Sequence, residues 1–137
     1  MNDVHLDKDD SIYKEYLLEY YKNPRNYGAI ENCDIQKHDH NPLCGDEIDI
    51  YIQLDKNHNK KTIEKIQFTG KGCVVCIASA SILTEHLEGM DIEGVKDFSR
   101  EDFLKLLGLN LTPTRVKCAM LPLAAIKKGI MDFEAKS

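Results

Sequence analysis

Hydrophobic side chains recur along this chain first at helical spacing, then at alternate positions, then at helical spacing again. From Ser11 to Lys22, Ile12, Tyr16, Leu17, Tyr20 and Tyr21 fall on one face of a 3.6-residue period. Ser11 is a fitting N-cap, and Asn23-Pro24 ends the segment. Such a tyrosine-rich stripe serves either the core or a partner. Between Ile48 and Leu54 the pattern alternates strictly: Ile48, Ile50, Ile52 and Leu54 on one face, Asp49, Tyr51 and Gln53 on the other. After the polar loop 55–61, a second strand is predicted over 62–69, its alternation imperfect at Ile63. The two read as an antiparallel hairpin, with a weak polar edge strand at 33–39.

Beyond Gly72 the helical period returns. Residues 74–88 contain no Pro or Gly, and Gly89 supplies a stop. In FSREDF, 98–103, Ser99 caps, Asp102 stands at the third helical position and Phe98 can staple to Phe103; Gly108 ends that helix. The last helix is expected to begin near Cys118, burying Leu123, Ile126, Ile130 and Phe133, with Pro122 tolerated as a first-turn residue. Helix, small antiparallel sheet, then helices is the order of an α+β domain. The expected organisation is a disordered tail over residues 1–10 and a single domain over 11–137.

Composition narrows the function classes. The 137 residues are 42% hydrophobic and 30% charged, an ordinary globular mixture, and the formal net charge is −5. No basic stripe suggests a nucleic-acid partner. The longest apolar run, 118–126, is far too short to span a membrane, and the acidic start, MNDVHLDKDD, lacks the features of a targeting segment. These features point to a cytoplasmic protein. In that reducing setting five cysteines (33, 44, 73, 76 and 118) argue for metal or thiol chemistry rather than disulfides.

Three of them stand at the edges of predicted elements. Cys44 lies in NPLCGDE just before a strand, two residues from Asp46, so both side chains can point the same way. Cys73 follows GKG at a strand-to-helix junction, and Cys118 is placed at a helix start beside Arg115 and Lys117. The dipole and unpaired amides of helix starts favour anionic sulfur, the form that ligates metal or carries sulfur. A converging site built from separate loops is therefore expected. Spacing alone leaves several readings open: a structural zinc site of Cys44, Cys73, Cys76 and Cys118, or, more weakly, a thioredoxin-like redox pair at 73 and 76. Free cysteine is also a good small core residue.

Four stretches in order carry a resemblance: YKNPRNYG at 21–28, NPLCGD at 41–46, GKGCVVCIASAS at 70–81 and RVKCAMLPLAAIKKGI at 115–130. Over roughly residues 12–131 the chain resembles the NifU/IscU/SufU-type scaffolds of iron–sulfur cluster assembly. The resemblance implies a three-stranded antiparallel sheet with about four to five helices on it. It implies that Cys44, Asp46, Cys73 and Cys118 hold a transient [2Fe–2S] cluster, iron or zinc, with Arg115 as a basic support. It implies a cysteine desulfurase and apo iron–sulfur proteins as partners, with a homodimer in view, and Cys44 and Cys118 as candidate acceptors of persulfide sulfur. Cys76 stands where relatives carry a small residue and reads as a neighbour, not a ligand. Cys33 reads as strand-edge structure, and His38, His40, His5, His58 and His86 as merely polar.

Two departures separate kinds of relative. Lys117 precedes the last cysteine where IscU-type members carry histidine, which is SufU-like, but only 44 residues lie between Cys73 and Cys118, without the SufU-type insertion. LTPTRVKC echoes the LPPVK stretch of IscU-type proteins loosely. The resemblance thus implies a scaffold and carrier, or alternatively a zinc-bound sulfurtransferase that accepts persulfide sulfur without assembling clusters.

Overall fold

The strict alternation of the middle segment builds the sheet on which everything else rests. A computed structural model describes residues 8–43, 45–57 and 60–136, with the side chains of the first helix from Glu15 onward. In chain order the elements are α1 (Lys8–Lys22), β1 (Ile35–Asn41), β2 (Asp46–Asp55), β3 (Thr62–Lys71), α2 (Val74–Leu87), α3 (Ile92–Asp97), α4 (Arg100–Leu107) and α5 (Pro113–Lys136). The sheet is antiparallel in the order β1-β2-β3, so the fold is α+β as expected.

Along β2 the buried row is Asp46, Ile48, Ile50, Ile52 and Leu54. The same two-residue period that sinks four aliphatic side chains into the core therefore sinks a carboxylate at the end of the row. The imperfect alternation at Ile63 has a local cause. The β2–β3 register shifts at Gln53/Leu54, so Ile63 faces the core together with Ile66 and Phe68.

One face of the sheet is covered by α2 and α5, and α1 packs on α2. Helix α2 is buried nearly all round, from Val75 through Thr84 and again at Leu87, which makes it the central rod of the core. Small residues, Ala78 and Ala80 among them, let its neighbours approach. The turn after α1 is fastened to this centre: the Arg25 amide donates to Ser81 Oγ at 2.6 Å. Beyond it, Asn26 and Gly28 bond the backbone of Phe68, and the Tyr27 ring stands edge-on to Phe68 with centroids 5.2 Å apart. Tyr27 Oη also donates to the Gly70 carbonyl at 3.2 Å, so YKNPRNYG is tied to the strand that leads into GKGC.

Several boundaries differ from the sequence reading. Helix α1 begins at Lys8, three residues before the expected Ser11 cap. Of the disordered tail expected over residues 1–10, residues 8–10 belong instead to this helix, and residues 1–7 lie outside the described residues. The edge strand is displaced to 35–41. Helix α3 was not anticipated; Asp91 caps it by accepting from the Gly94 amide at 2.6 Å. The Ser99–Asp102 capping box on α4 forms as read, as does the Gly108 stop in the left-handed region. The largest correction concerns α5. It begins at Pro113, not near Cys118, because Pro is pre-set for a first helical position and Thr112 caps it. Pro122 therefore lies inside the helix rather than in its first turn, and Cys118 sits on the second turn rather than at the start.

Candidate metal centre

At one end of the sheet, Asp46, Cys73 and Cys118 come together. One ligand atom from each lies within 4.8 Å of the other two, and this is the group of that kind found among the described residues. Asp46 arrives as the first member of the buried row of β2 and is 2% exposed. Cys73 is the N-cap of α2, and its amide donates to Asp46 Oδ1 at 3.0 Å. The Cys73 sulfur lies 3.6 Å from Asp46 Oδ2. Cys118 reaches the same point from α5 and is fully buried. Cys44 lies outside the described residues.

The glycines of GKGC have a steric purpose that the sequence reading left unstated. A Cβ at Gly70 would stand 2.5 Å from the Glu47 carbonyl oxygen, so only glycine lets β3 pair closely with β2 at this point. A Cβ at Gly72 would stand 2.9 Å from Asp46 Oδ1. Gly72 leaves the space into which the carboxylate turns.

Arg115, three residues before Cys118 on α5, completes the electrostatics. Its guanidinium is held above the ordinary arginine range chiefly by the negative charge of Cys73. Burial opposes this, while the charge of Cys118 and hydrogen bonds to both sulfurs reinforce it. The basic support expected at Arg115 is therefore in contact with two of the three assembled donors. Lys117 is exposed.

The geometry can be compared with a single bound ion. With Zn–S about 2.3 Å and Zn–O about 2.0–2.2 Å, the S···O edge of a tetrahedron is about 3.6 Å. The observed Cys73–Asp46 separation of 3.6 Å matches it. Two soft sulfurs and a buried carboxylate therefore fit a thiophilic metal, and these three, the donors grouped among the described residues, supply three of the four positions of a tetrahedron.

The remaining sequence candidates separate cleanly. Cys76 is fully buried, one helical turn below the site, and its amide donates to Cys73 Sγ at 3.4 Å. It belongs to the core, as read, and is not in the ligand group. Cys33 donates to the Ile35 carbonyl at the edge of the sheet. His38 and His40 are exposed on the open face, and His38 Nδ1 lies 3.1 Å from Asp49 Oδ1. They flank a shallow concavity of about 390 Å³ that reaches Asp46. His86 packs against Phe98; His5 and His58 lie outside the described residues.

A profile of the NifU-like N-terminal domain matches residues 12–137. The chain belongs to that family. Within it, the zinc-dependent sulfurtransferase SufU of Bacillus subtilis is 33% identical, the match covering 91% of this chain and 93% of the relative. The iron–sulfur cluster assembly scaffold protein IscU of Escherichia coli is 31% identical, covering 90% and 95%. Among solved structures, the N-terminal part of a nitrogen-fixing NifU-like protein from Brucella abortus superposes with a TM-score of 0.69 at 21% identity. That match covers 94% of this chain and 99% of the other, and shows the shared fold. Among the described residues, no helix of this NifU-like chain is long and apolar enough to cross a membrane.

Proposed function

We propose that this chain is a scaffold for iron–sulfur cluster assembly. It takes sulfur from a cysteine desulfurase, gathers iron, and passes a [2Fe–2S] cluster to apo-proteins. The observation that carries the reading is the mixed donor set: a buried carboxylate, Asp46, held by the Cys73 amide against two cysteine sulfurs. Four thiolates would suit storage, because soft sulfur holds such clusters firmly. One hard oxygen among them leaves a corner that an incoming acceptor thiolate can displace.

Cys44, Asp46, Cys73 and Cys118 are the proposed ligands. A cysteine thiolate of this set attacks the outer sulfur of the desulfurase persulfide. The S–S bond breaks, the donor cysteine leaves as thiolate, and the terminal sulfur stays on the acceptor as a new persulfide. Cys44 and Cys118 are the two proposed acceptors. Cys118, being fully buried, can serve only if the site opens. Arg115 would hold the sulfurs as anions. On α1, Tyr16 and Tyr21 are exposed while Leu17 faces the core, so this helix is the proposed desulfurase dock.

A second reading has its own support. The 3.6 Å Cys73–Asp46 edge suits one tetrahedral zinc ion. With Lys117 before the last cysteine and a zinc-dependent SufU among the relatives, the chain would then pass persulfide sulfur on without building clusters. Bound zinc would hold the loop and both helices in register and keep the sulfurs deprotonated. The readings part on whether iron and sulfide displace zinc. Anaerobic reconstitution with iron, cysteine and a desulfurase, followed by visible absorption and metal analysis, separates them.

A further inference from the structure

The Cys73–Cys76 pair is left unexplained by the ligand trio, since only Cys73 belongs to it. Cys73 is the N-cap of α2, extended at φ −70° and ψ 168°, and Cys76 is the third helical residue. Its amide already points at Cys73 Sγ from 3.4 Å. Across a first helical turn the two α-carbons stand about 5–6 Å apart. That is inside the roughly 4.4–6.8 Å range that a disulfide requires. The two thiols also differ in access: Cys73 is partly exposed, whereas Cys76 is fully buried. A solvent oxidant therefore meets Cys73 first, and the oxidised Cys73 meets Cys76 next.

We propose that Cys73 and Cys76 form a reversible disulfide when the metal centre is empty, withdrawing Cys73 from the ligand set until the pair is reduced. The oxidant class is a low-molecular-weight disulfide. Cys73 Sγ, its proton given to solvent, attacks one sulfur of that disulfide. A mixed disulfide forms, and one small thiolate leaves and is protonated. Cys76 Sγ then attacks the Cys73 sulfur, the second small thiol departs with the Cys76 proton, and the internal bond forms. Two cysteine thiols are oxidised and one disulfide is reduced to two thiols; a dithiol reductant reverses the change. The disulfide rests on the helix-start geometry alone. Its coupling to metal rests on the proposed role of Cys73 as a ligand, and the experiment keeps the two apart.

Metal-stripped and zinc-loaded protein are incubated anaerobically with oxidised glutathione, alkylated, digested and mapped by mass spectrometry. The stripped protein is expected to yield the Cys73–Cys76 cross-link, and the zinc-loaded protein to form it more than about tenfold more slowly, because a metal-bound sulfur is a poor nucleophile. Cys76→Ala is expected to stop at a stable glutathione adduct on Cys73 while binding zinc as the parent does. In the parent, a persistent adduct on Cys73, or a cross-link from Cys73 to Cys118 in place of Cys76, overturns the proposal whatever the variant does. Equal rates with and without bound zinc overturn the coupling. Failure of the protein to bind zinc or iron would sink the ligand reading of Cys73 and the coupling with it, while the cross-link map still decides the disulfide.

Discussion

Two aspartates meet the ends of β2, and their surroundings differ in kind. Asp34, at the far end, accepts from the Leu54 amide at 2.8 Å and from Gln53 Nε2 at 3.0 Å, and it pairs with Lys56. Its burial raises its pKa, but the Lys56 and Leu54 hydrogen bonds and the Lys56 charge outweigh this and hold the carboxyl below the usual range. Asp46, at the near end, is more deeply buried, and it faces the Cys73 amide and two sulfurs within 4.8 Å. An aspartate bound to a cation and backbone amides is a fastening for the sheet. An aspartate sunk among sulfurs, beside a glycine that makes room for it, is the arrangement behind the proposed ligand role of Asp46.

The comparison breaks most visibly at the sulfurs. Cys73→Ser is expected to empty the centre of zinc and iron, whereas Cys76→Ser should retain metal at the parent's stoichiometry, measured by metal analysis after desalting. If the serine at 76 empties the site, Cys76 is a ligand and the trio has been drawn wrongly. Gly72→Ala should act through Asp46, since the added Cβ falls 2.9 Å from Oδ1. A loss of about 10–100-fold in zinc affinity is expected for disturbing such a ligand, with little change in melting temperature. Unchanged affinity would mean that Asp46 can turn aside without consequence.

At the other end the expected effects are structural and smaller. Asp34→Asn should cost about 1–3 kcal/mol, the range for losing a charged hydrogen-bond acceptor, and leave metal content untouched. Because the folded Asp34 carboxyl titrates below its unfolded value of about 4, its stabilisation is full above that pH and fades as pH falls through the folded value. The variant and parent should therefore differ at neutral pH in urea titrations and converge in acid. A gap that stays constant with pH would remove the charge from the explanation. Ser99→Ala, which deletes the α4 cap, is expected to cost about 1 kcal/mol and to leave the centre unaffected.

How much of this was legible in the sequence follows from how local each cause is. The β2 alternation, the Ser99–Asp102 box and the Gly108 stop are set by neighbours within a few residues, and they stand where they were read. The start of α5 was misplaced by five residues because Pro122 was taken for the first-turn proline, when Pro113 behind Thr112 carried the stronger signal. That error put Cys118 at an exposed helix start, whereas packing of α5 on α2 and the sheet buries it completely. Helix α3 was missed because Gly94 lies inside its six residues, and only the Asp91 cap announces it. For the centre, the family resemblance nominated Cys44, Asp46, Cys73 and Cys118, and the approach of the last three from β2, α2 and α5 is a tertiary fact that no local pattern states. The role of Gly72 was equally out of reach, since it depends on a side chain 26 positions away in sequence.

The central claim is that the carboxylate among the sulfurs makes this centre one that lets go of its cargo. Asp46→Cys tests it most directly. Parent and variant are reconstituted anaerobically with iron, cysteine and a desulfurase, and transfer to an apo-ferredoxin is followed by visible absorption. The account predicts a longer-lived cluster and slower transfer in the variant, with the fold unchanged by circular dichroism. A folded variant that releases its cluster as fast as the parent would contradict it, as would a parent whose zinc iron cannot displace.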